Sequence, residues 1–152
     1  MSKMAESFHE ICNSPFSLAN CFIFTYKDMP VKNNNILLAY LVLPLVLYPA
    51  SLNFLQHANK TSSLLTLRKN KERIAGLPQR ISYYKELTNL CLQYLMDNNL
   101  LFVDNDMSVH VNAEMKIPTA RTKEELAATK ISLIFQDIPI QTVYRQLGVR
   151  YL

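Results

Sequence analysis

The chain has 152 residues, of which 49% are hydrophobic and 18% are charged, and its formal net charge is +4. This length fits one domain with a substantial core, and the charged fraction lies below the quarter that is usual for soluble domains. The composition fits either a well-filled core or a subunit with a buried interface, since obligate interfaces resemble a domain core cut in half. The mild positive charge permits contact with nucleic acid without requiring it.

The cysteines and the first residues indicate a cytoplasmic protein. Cys12, Cys21 and Cys91 are widely spaced, and no Cys-x-x-Cys pair occurs. Such a set predicts reduced, mostly buried thiols. The first ten residues are polar and lack the apolar stretch of a secretory signal.

An N-terminal helix is predicted from Pro15 to about Asp28. The preceding Asn13 and Ser14 are residue types that cap helices, and proline is favoured in the first turn. The apolar residues expected on its buried side are Phe16, Ala19, Phe22, Ile23 and Tyr26.

The most apolar segment of the chain covers residues 36–48 and follows a polar loop over 29–35. It is shorter than the about 20 residues that a bilayer span needs, so we expect no membrane span. We predict a buried helix that ends at Pro44, or a buried strand. Pro49 then begins a short helical turn.

Residues 61–112 predict three helices followed by a β-hairpin. Thr61 is a candidate cap for the first helix, and Asn70 is a candidate cap for the second, which ends near Gly76. Pro78 opens the third helix, which extends to about residue 97. The apolar stripe of the third helix is Ile81, Tyr84, Leu87, Cys91 and Leu95.

The predicted hairpin consists of two short strands at 100–103 and 107–111. They flank Asp104-Asn105-Asp106, and these residue types favour turns because their side chains bond their own backbone. Three helices followed by a hairpin is the order of a winged helix-turn-helix, in which the third helix recognises DNA and the hairpin is the wing.

Two further helices are predicted after Pro118. Thr122 and Glu125 have the spacing of a capping box, which predicts a helix that extends to about Gln136. The residues expected on its buried side are Leu126, Thr129 or Lys130, Leu133 and Ile134.

The segment 138–152 predicts a short, well-capped helix that docks on its own domain or on another protein. Pro139 fits the first helical position, and Gly148 fits a left-handed helix end. The apolar stripe of this helix is Ile140, Val143, Tyr144 and Leu147.

The predicted fold class is mainly α: a compact helical domain with a winged-helix-like centre and one β-hairpin. We expect one domain over the whole chain. Its parts are an N-terminal arm (1–12), N-terminal helices with the buried apolar segment (13–60), the winged-helix-like unit (61–112) and the C-terminal helices that dock (119–152).

No catalytic, cofactor-binding or metal-binding residues are predicted. His9, His57 and His110 are far apart and do not combine with the cysteines into a zinc pattern. Two glycines in the whole chain exclude a glycine-rich phosphate loop. An alternative is a small enzyme that uses one of the cysteines, because the cysteine and histidine of a catalytic pair can be far apart in sequence and adjacent in the fold.

One run of basic residues is a possible contact with nucleic acid, because lysine and arginine neutralise phosphates. Acidic residues interrupt the run, which favours a solvated helix face instead. Tyr83 lies off the stripe of the third helix and is a candidate surface anchor. The basic residues are Arg68, Lys69, Lys71, Arg73, Arg80 and Lys85.

Four segments, in order along the chain, resemble one known family. They are Asn-Ser-Pro-Phe at 13–16, Tyr-Leu-Val-Leu-Pro-Leu-Val-Leu-Tyr at 40–48, Thr-Ser-Ser-Leu-Leu at 61–65 and Thr-Val-Tyr-Arg-Gln-Leu-Gly-Val-Arg at 142–150. The chain is similar to the small middle component of bacterial ABC-three-component defence systems. This group includes the small subunit of Lamassu-type anti-phage and anti-plasmid complexes.

The resemblance implies a non-enzymatic adaptor that works without a cofactor. Its partners would be a coiled-coil ATPase of the SMC or Rad50 type and an effector, often a nuclease, that is held inactive until foreign DNA is sensed. DNA would be contacted through the complex, and no membrane is involved. The residues expected to form the core or the partner interface, with the two arginines at its rim, are Ile140, Val143, Tyr144, Arg145, Leu147, Val149 and Arg150. The alternative is a free-standing winged-helix DNA-binding protein, such as a transcriptional regulator.

Overall fold

A computed structural model describes residues 15–117 and 119–150 of the chain. Its helices are α1 Pro15–Tyr26, α2 Ala39–Val46, α3 Pro49–Gln56, α4 Leu64–Lys69, α5 Leu77–Asp97, α6 Lys123–Phe135 and α7 Ile140–Gln146. Short 3₁₀-helices lie at Asn35–Leu38 and Lys71–Ile74, and the strands are β1 Leu101–Val103 and β2 Val109–Val111. The prediction of a mainly α fold with one β-hairpin is confirmed.

Helices α1 and α2 form the centre of the domain. Helix α1 packs against α5 and α6, α2 packs against α5, and α3 packs against α6. Nearly every described side chain of α1 is buried, and residues 41–46 of α2 are all buried. A helix that is apolar on all sides is stable in water only when neighbouring elements surround it, which explains why these two helices lie inside the others.

The prediction that the apolar segment forms a buried helix is confirmed, but its predicted end at Pro44 and the alternative of a buried strand are wrong. Helix α2 contains Pro44 and continues to Val46. Proline removes the hydrogen bond to the carbonyl four residues earlier, but here the helix has only a few residues left, and the Leu47 N–H still donates to the Leu43 carbonyl at 3.0 Å. The buried surroundings of α2 hold the helix through this defect.

Helix α4 is capped by Ser63 and not by Thr61 as predicted. The Ser63 hydroxyl accepts from the Thr66 N–H (3.3 Å), and the Thr66 hydroxyl oxygen accepts from the Ser63 N–H (2.7 Å). Thr61 instead donates to the Asn59 side chain. The prediction of Asn70 as a cap is confirmed, since its Oδ1 accepts from the Glu72 N–H at 3.0 Å.

The second helix of the expected winged-helix-like unit is the single 3₁₀ turn Lys71–Ile74. The long helix α5 packs mainly on α1 and α2, which precede that unit in the chain, and it also contacts β1. The hairpin has the expected antiparallel pairing, with Phe102 opposite His110. The winged-helix-like centre and the division of the domain into parts stay predictions.

Helix α6 buries only part of the predicted face: Ile134 is buried as predicted, but Leu126 is not. Leu126 is 40% exposed, whereas Ala127, Ala128 and Ile131 are completely buried. The small alanine side chains let α6 approach α1 closely, and the Thr25 hydroxyl of α1 lies 3.5 Å from the Ala128 carbonyl oxygen. The close approach of the two helices therefore places the small alanines, and not the larger Leu126, between them.

The cap of α6 differs slightly from the expected capping box. Thr122 Oγ1 accepts from the Glu125 N–H at 3.1 Å, as predicted. The Glu125 carboxylate, however, accepts from the N–H of Arg121 at 2.7 Å, one residue before the expected donor.

The 3₁₀ turn Asn35–Leu38 connects three distant parts of the chain. The Tyr26 hydroxyl of α1 donates to the Asn35 carbonyl at 2.8 Å, and the Tyr144 hydroxyl of α7 donates to the Leu37 carbonyl. The Asn35 side-chain oxygen accepts from the Val109 N–H of β2 at 2.7 Å. Burial raises the pKa of both tyrosines, so they remain neutral donors at physiological pH.

Within the described residues, no single helix is long and apolar enough to cross a membrane. Only the pair Asn35–Val46 and Pro49–Gln56, bent by 105° at the break between them, has together the length and composition of a span.

We predict that removing either tyrosine hydroxyl destabilises the fold. Tyr26→Phe and Tyr144→Phe each remove one hydrogen bond to a carbonyl of the turn, so each should lower the free energy of unfolding by about 1 kcal/mol. Because both hydroxyls bind the same turn, the double variant should show coupling in a double-mutant cycle. Urea denaturation followed by circular dichroism measures all three values.

The matched control is Tyr83→Phe, because Tyr83 is 71% exposed. This change should stay within about 0.5 kcal/mol of the native stability. Equal effects of Tyr83→Phe and Tyr144→Phe would contradict the role assigned to the turn.

Candidate functional site

The C-terminal helix ends as the sequence predicts. Gly148 has a φ of +76°, the Val149 N–H donates to the Tyr144 carbonyl at 3.0 Å, and the Gly148 N–H donates to the Arg145 carbonyl at 3.1 Å. These two bonds are those of a Schellman motif, which turns the chain away from the helix axis. Pro139 is the N-cap, one residue before the predicted position.

The apolar candidates for the partner interface lie in the core of this chain. None of them is more than 8% exposed: Ile140, Val143, Tyr144, Leu147 and Val149. The other two candidates, Arg145 and Arg150, are exposed. The tail therefore docks on its own domain, and the two arginines are the candidates that remain on the surface.

Two clefts lie beside α7, and sequence reasoning did not anticipate them. The first has a volume of about 500 Å³ and lies between the loop before the 3₁₀ turn, the end of α6 and the start of α7. Its lining is Met29, Lys32, Asn33, Asn34, Asn35, Leu38, Phe135, Asp137, Ile138, Pro139, Ile140 and Gln141. The asparagine triplet of the loop is the sequence signal that marks this place, but the triplet indicates only a turn.

The second cleft has a volume of about 530 Å³ and lies along the outer side of α7 and the turn that follows it. Its lining is Gln141, Tyr144, Arg145, Gly148, Val149 and Arg150. Arg145 Nη2 lies 3.3 Å from Thr142 Oγ1. Among the described residues, neither Arg145 nor Arg150 has a carboxylate within ion-pair distance.

The six basic residues of the middle segment divide into two groups. Arg80 and Arg73 are partly buried in contacts within the chain. The Arg80 guanidinium stacks at 3.8 Å on the Tyr48 ring, and it donates to the carbonyls of Arg73, Ala75 and Pro44. Burial lowers the pKa of Arg80 from its ordinary value.

Arg73 donates to the Thr66 carbonyl at 2.7 Å and lies 4.4 Å from the Phe54 ring. The two arginines therefore fix the segment between α4 and α5 onto α2 and α3. The four basic residues exposed at the surface are Arg68, Lys69, Lys71 and Lys85.

A serine, a histidine and an aspartate meet at the tip of the hairpin. His110 Nε2 lies 2.5 Å from Asp104 Oδ2 and 3.3 Å from Ser108 Oγ. A catalytic triad needs the acid at one ring nitrogen and the nucleophile at the other, whereas here both approach the same nitrogen.

The Ser108 hydroxyl instead donates to Asp106 Oδ1 at 2.6 Å, and this bond lowers the pKa of Asp106. The arrangement stabilises the turn. Within the described part of the chain, no group of three or more histidine, cysteine or acidic side chains is placed to hold a metal ion.

The cysteine candidates are unfavourable nucleophiles. Cys21 and Cys91 are buried, and desolvation raises the pKa of each thiol to about 12. A thiol attacks as its thiolate, and this form is strongly disfavoured at neutral pH here. Cys12 and His9 lie outside the described residues, as does the whole arm 1–12.

These features define a small, mainly helical domain whose notable surface is a docked C-terminal segment with two adjoining clefts. The family model of the ABC-three component (ABC-3C) system Middle Component 3 matches residues 2–151. The chain belongs to this family. No curated protein and no solved structure matches it. The resemblance to a middle component of ABC-three-component systems is therefore confirmed.

We predict that Arg80→Ala lowers the free energy of unfolding by about 2 kcal/mol, because it removes charged hydrogen bonds and a cation–π contact. Arg80→Lys should also destabilise, since an ammonium group cannot reproduce the planar fork of the guanidinium. Arg68→Ala, at an exposed position of α4, is the control and should be nearly neutral in urea denaturation. Native stability of Arg80→Ala would refute the structural role.

We also predict that Cys21 and Cys91 resist alkylation in the folded chain. At neutral pH, iodoacetamide should modify both at least about a hundredfold more slowly than in the urea-unfolded chain, because burial suppresses the thiolate. Mass spectrometry of proteolytic peptides follows each site separately, with the unfolded chain as the control. Fast modification of either thiol in the native state would revive the cysteine-enzyme hypothesis.

Proposed function

We propose that this protein is the non-enzymatic adaptor of a bacterial anti-phage or anti-plasmid defence complex in the cytoplasm. It links an SMC- or Rad50-like coiled-coil ATPase to an effector, often a nuclease, and helps to hold the effector inactive until foreign DNA is sensed. The observation that carries the proposal is the family match over residues 2–151. The assignment to the Lamassu type rests on the four similar sequence segments alone.

The chemistry of the described residues supports an adaptor over an enzyme. Ser108, His110 and Asp104 of the hairpin do not have the geometry of a catalytic triad. The buried thiols of Cys21 and Cys91 have pKa values of about 12. Each reactive residue type that the sequence offered in this part of the chain therefore has a structural role or a suppressed reactivity.

The burial of the C-terminal tail limits which of its residues are accessible to a partner. Deleting residues 138–152 is a poor test of partner binding, because it removes Ile140, Val143 and Leu147 from the core and large buried side chains are costly to lose. Substitutions at the exposed Arg145 and Arg150 leave the core intact. These two positions are therefore the ones to change.

The alternative is a DNA-binding protein that acts alone. The observation that favours it is the exposure of four basic residues between the end of α4 and the first half of α5: Arg68, Lys69, Lys71 and Lys85. In the adaptor proposal, DNA is contacted by the complex as a whole. As a lone DNA binder, the chain should lose affinity steeply as salt increases.

We predict that this chain co-purifies with the other two components of its system. Co-expression with the genes encoded beside it, followed by purification through a tag on this chain and native mass spectrometry, should yield a complex that contains the ATPase. Elution of the chain alone, as a monomer or dimer, would contradict the adaptor proposal and favour the DNA-binding alternative.

A charge-reversal variant separates the two hypotheses. The combination of Arg68→Glu, Lys69→Glu, Lys71→Glu and Lys85→Glu should leave the complex intact if the chain is an adaptor. If the chain binds DNA alone, the same variant should reduce both its affinity for duplex DNA and the salt dependence of that affinity.

A further inference from the structure

The two clefts beside α7 are neighbours, because Gln141 lines both of them. We refer to the two neighbouring clefts together as the groove. Its lining includes Lys32 in the loop before the 3₁₀ turn and Arg150 after α7. A ligand that occupies both clefts has to pass Gln141, which an extended segment can do.

The charges along the groove are mainly positive. Lys32 lies at one end, and Arg145 and Arg150 lie at the other, whereas Asp137 is the acidic residue in the lining of the two clefts. Among the described residues, none of these three cations takes part in an ion pair. They are available to carboxylates, and arginine binds carboxylates in a bidentate manner.

The first cleft adds an apolar base to these charges. Met29, Leu38, Phe135 and Ile140 line it, and each is nearly buried. The lining of this cleft is half polar and half apolar, and its apolar part suits one apolar side chain of a ligand. The apolar base also distinguishes the groove from a simple cationic patch.

The groove is fixed before any partner arrives. The Tyr144 hydroxyl attaches α7 to the Leu37 carbonyl, and the Schellman bonds of Gly148 and Val149 fix the turn that carries Arg150. A preformed surface loses little conformational entropy when it binds. The backbone segments that carry the two arginines are therefore both attached to the rest of the domain.

We propose that this groove binds an extended acidic segment of another component of the same complex. One apolar side chain of that segment enters the first cleft, and its carboxylates meet Arg145, Arg150 and Lys32. The proposal rests on the adaptor function. The observations favour a peptide over nucleic acid, because the apolar side chains of the first cleft suit an apolar side chain better than a phosphate backbone, and duplex DNA binding relies on a longer series of cations.

The test compares two charge-reversed variants in the co-expressed three-component complex. The groove variant carries Arg145→Glu and Arg150→Glu, and the control carries Arg68→Glu and Lys69→Glu, which changes the net charge equally on exposed residues of α4. We expect the groove variant to bind the partner components about tenfold or more weakly, as happens when one side of a charge pair is lost. The control should bind as the native chain does.

A second variant and a second measurement make the result independent of folding. Arg145→Lys with Arg150→Lys keeps the charge and should recover part of the affinity. In the native complex, zero-length carbodiimide cross-linking should join the Lys32 amine to a carboxylate of a partner, whereas Lys85, on the outer side of α5, should not form this cross-link. Thermal melting of each variant confirms that it is folded.

The outcomes separate this inference from the proposed function. If the native complex forms and the groove variant assembles equally well, the inference is overturned and the adaptor function stands. The same holds if the native complex forms but Lys32 gives no cross-link. Failure of the native chain to assemble with any component overturns both. A groove variant that keeps its partners but loses affinity for a duplex DNA probe also overturns the inference, because the ligand would then be nucleic acid.

Discussion

The fold depends on the short turn Asn35–Leu38, which carries polar groups that need partners. Tyr26 of α1 and Tyr144 of α7 donate to backbone carbonyls of the turn, and Val109 of β2 donates to the Asn35 side chain. These three bonds connect the turn to α1, to α7 and to the hairpin. Since an unpaired buried polar group costs about 1–3 kcal/mol, they favour the arrangement of helix, hairpin and tail that keeps these acceptors paired.

The surface beside α7 follows from the same constraint. The loop before the turn supplies Lys32 and the asparagine triplet, and the helix attached through Tyr144 supplies Gln141 and Arg145. These two walls come from residues about a hundred positions apart in the chain. The groove is therefore a product of the tertiary fold, and its rigidity comes from bonds that also hold the core together.

Local sequence chemistry predicted most element boundaries. Pro15 and Pro49 at helix starts, Thr122 as a cap and Gly148 as a helix end were all placed correctly, because each depends on a few neighbouring residues. The predicted buried stripe of the C-terminal helix is also confirmed, since Ile140, Val143 and Leu147 are buried, whereas the predicted buried face of α6 is wrong in part. In α6 the small residues Ala127 and Ala128, not Leu126, face α1, and the spacing of apolar side chains cannot reveal how closely a neighbouring helix approaches.

Parts of the candidate site escaped prediction for a related reason. An apolar stripe such as that of Ile140 and Val143 indicates that these side chains are buried. It does not indicate whether they pack against the same chain or against a partner. The large hydrophobic fraction was equally ambiguous, and the structure places a large set of apolar side chains from many elements in the core of this chain. Apolar composition is therefore weak evidence for an interface in this protein. The argument for a partner rests instead on family membership and on cations beside α7 that have no carboxylate of their own within the described chain.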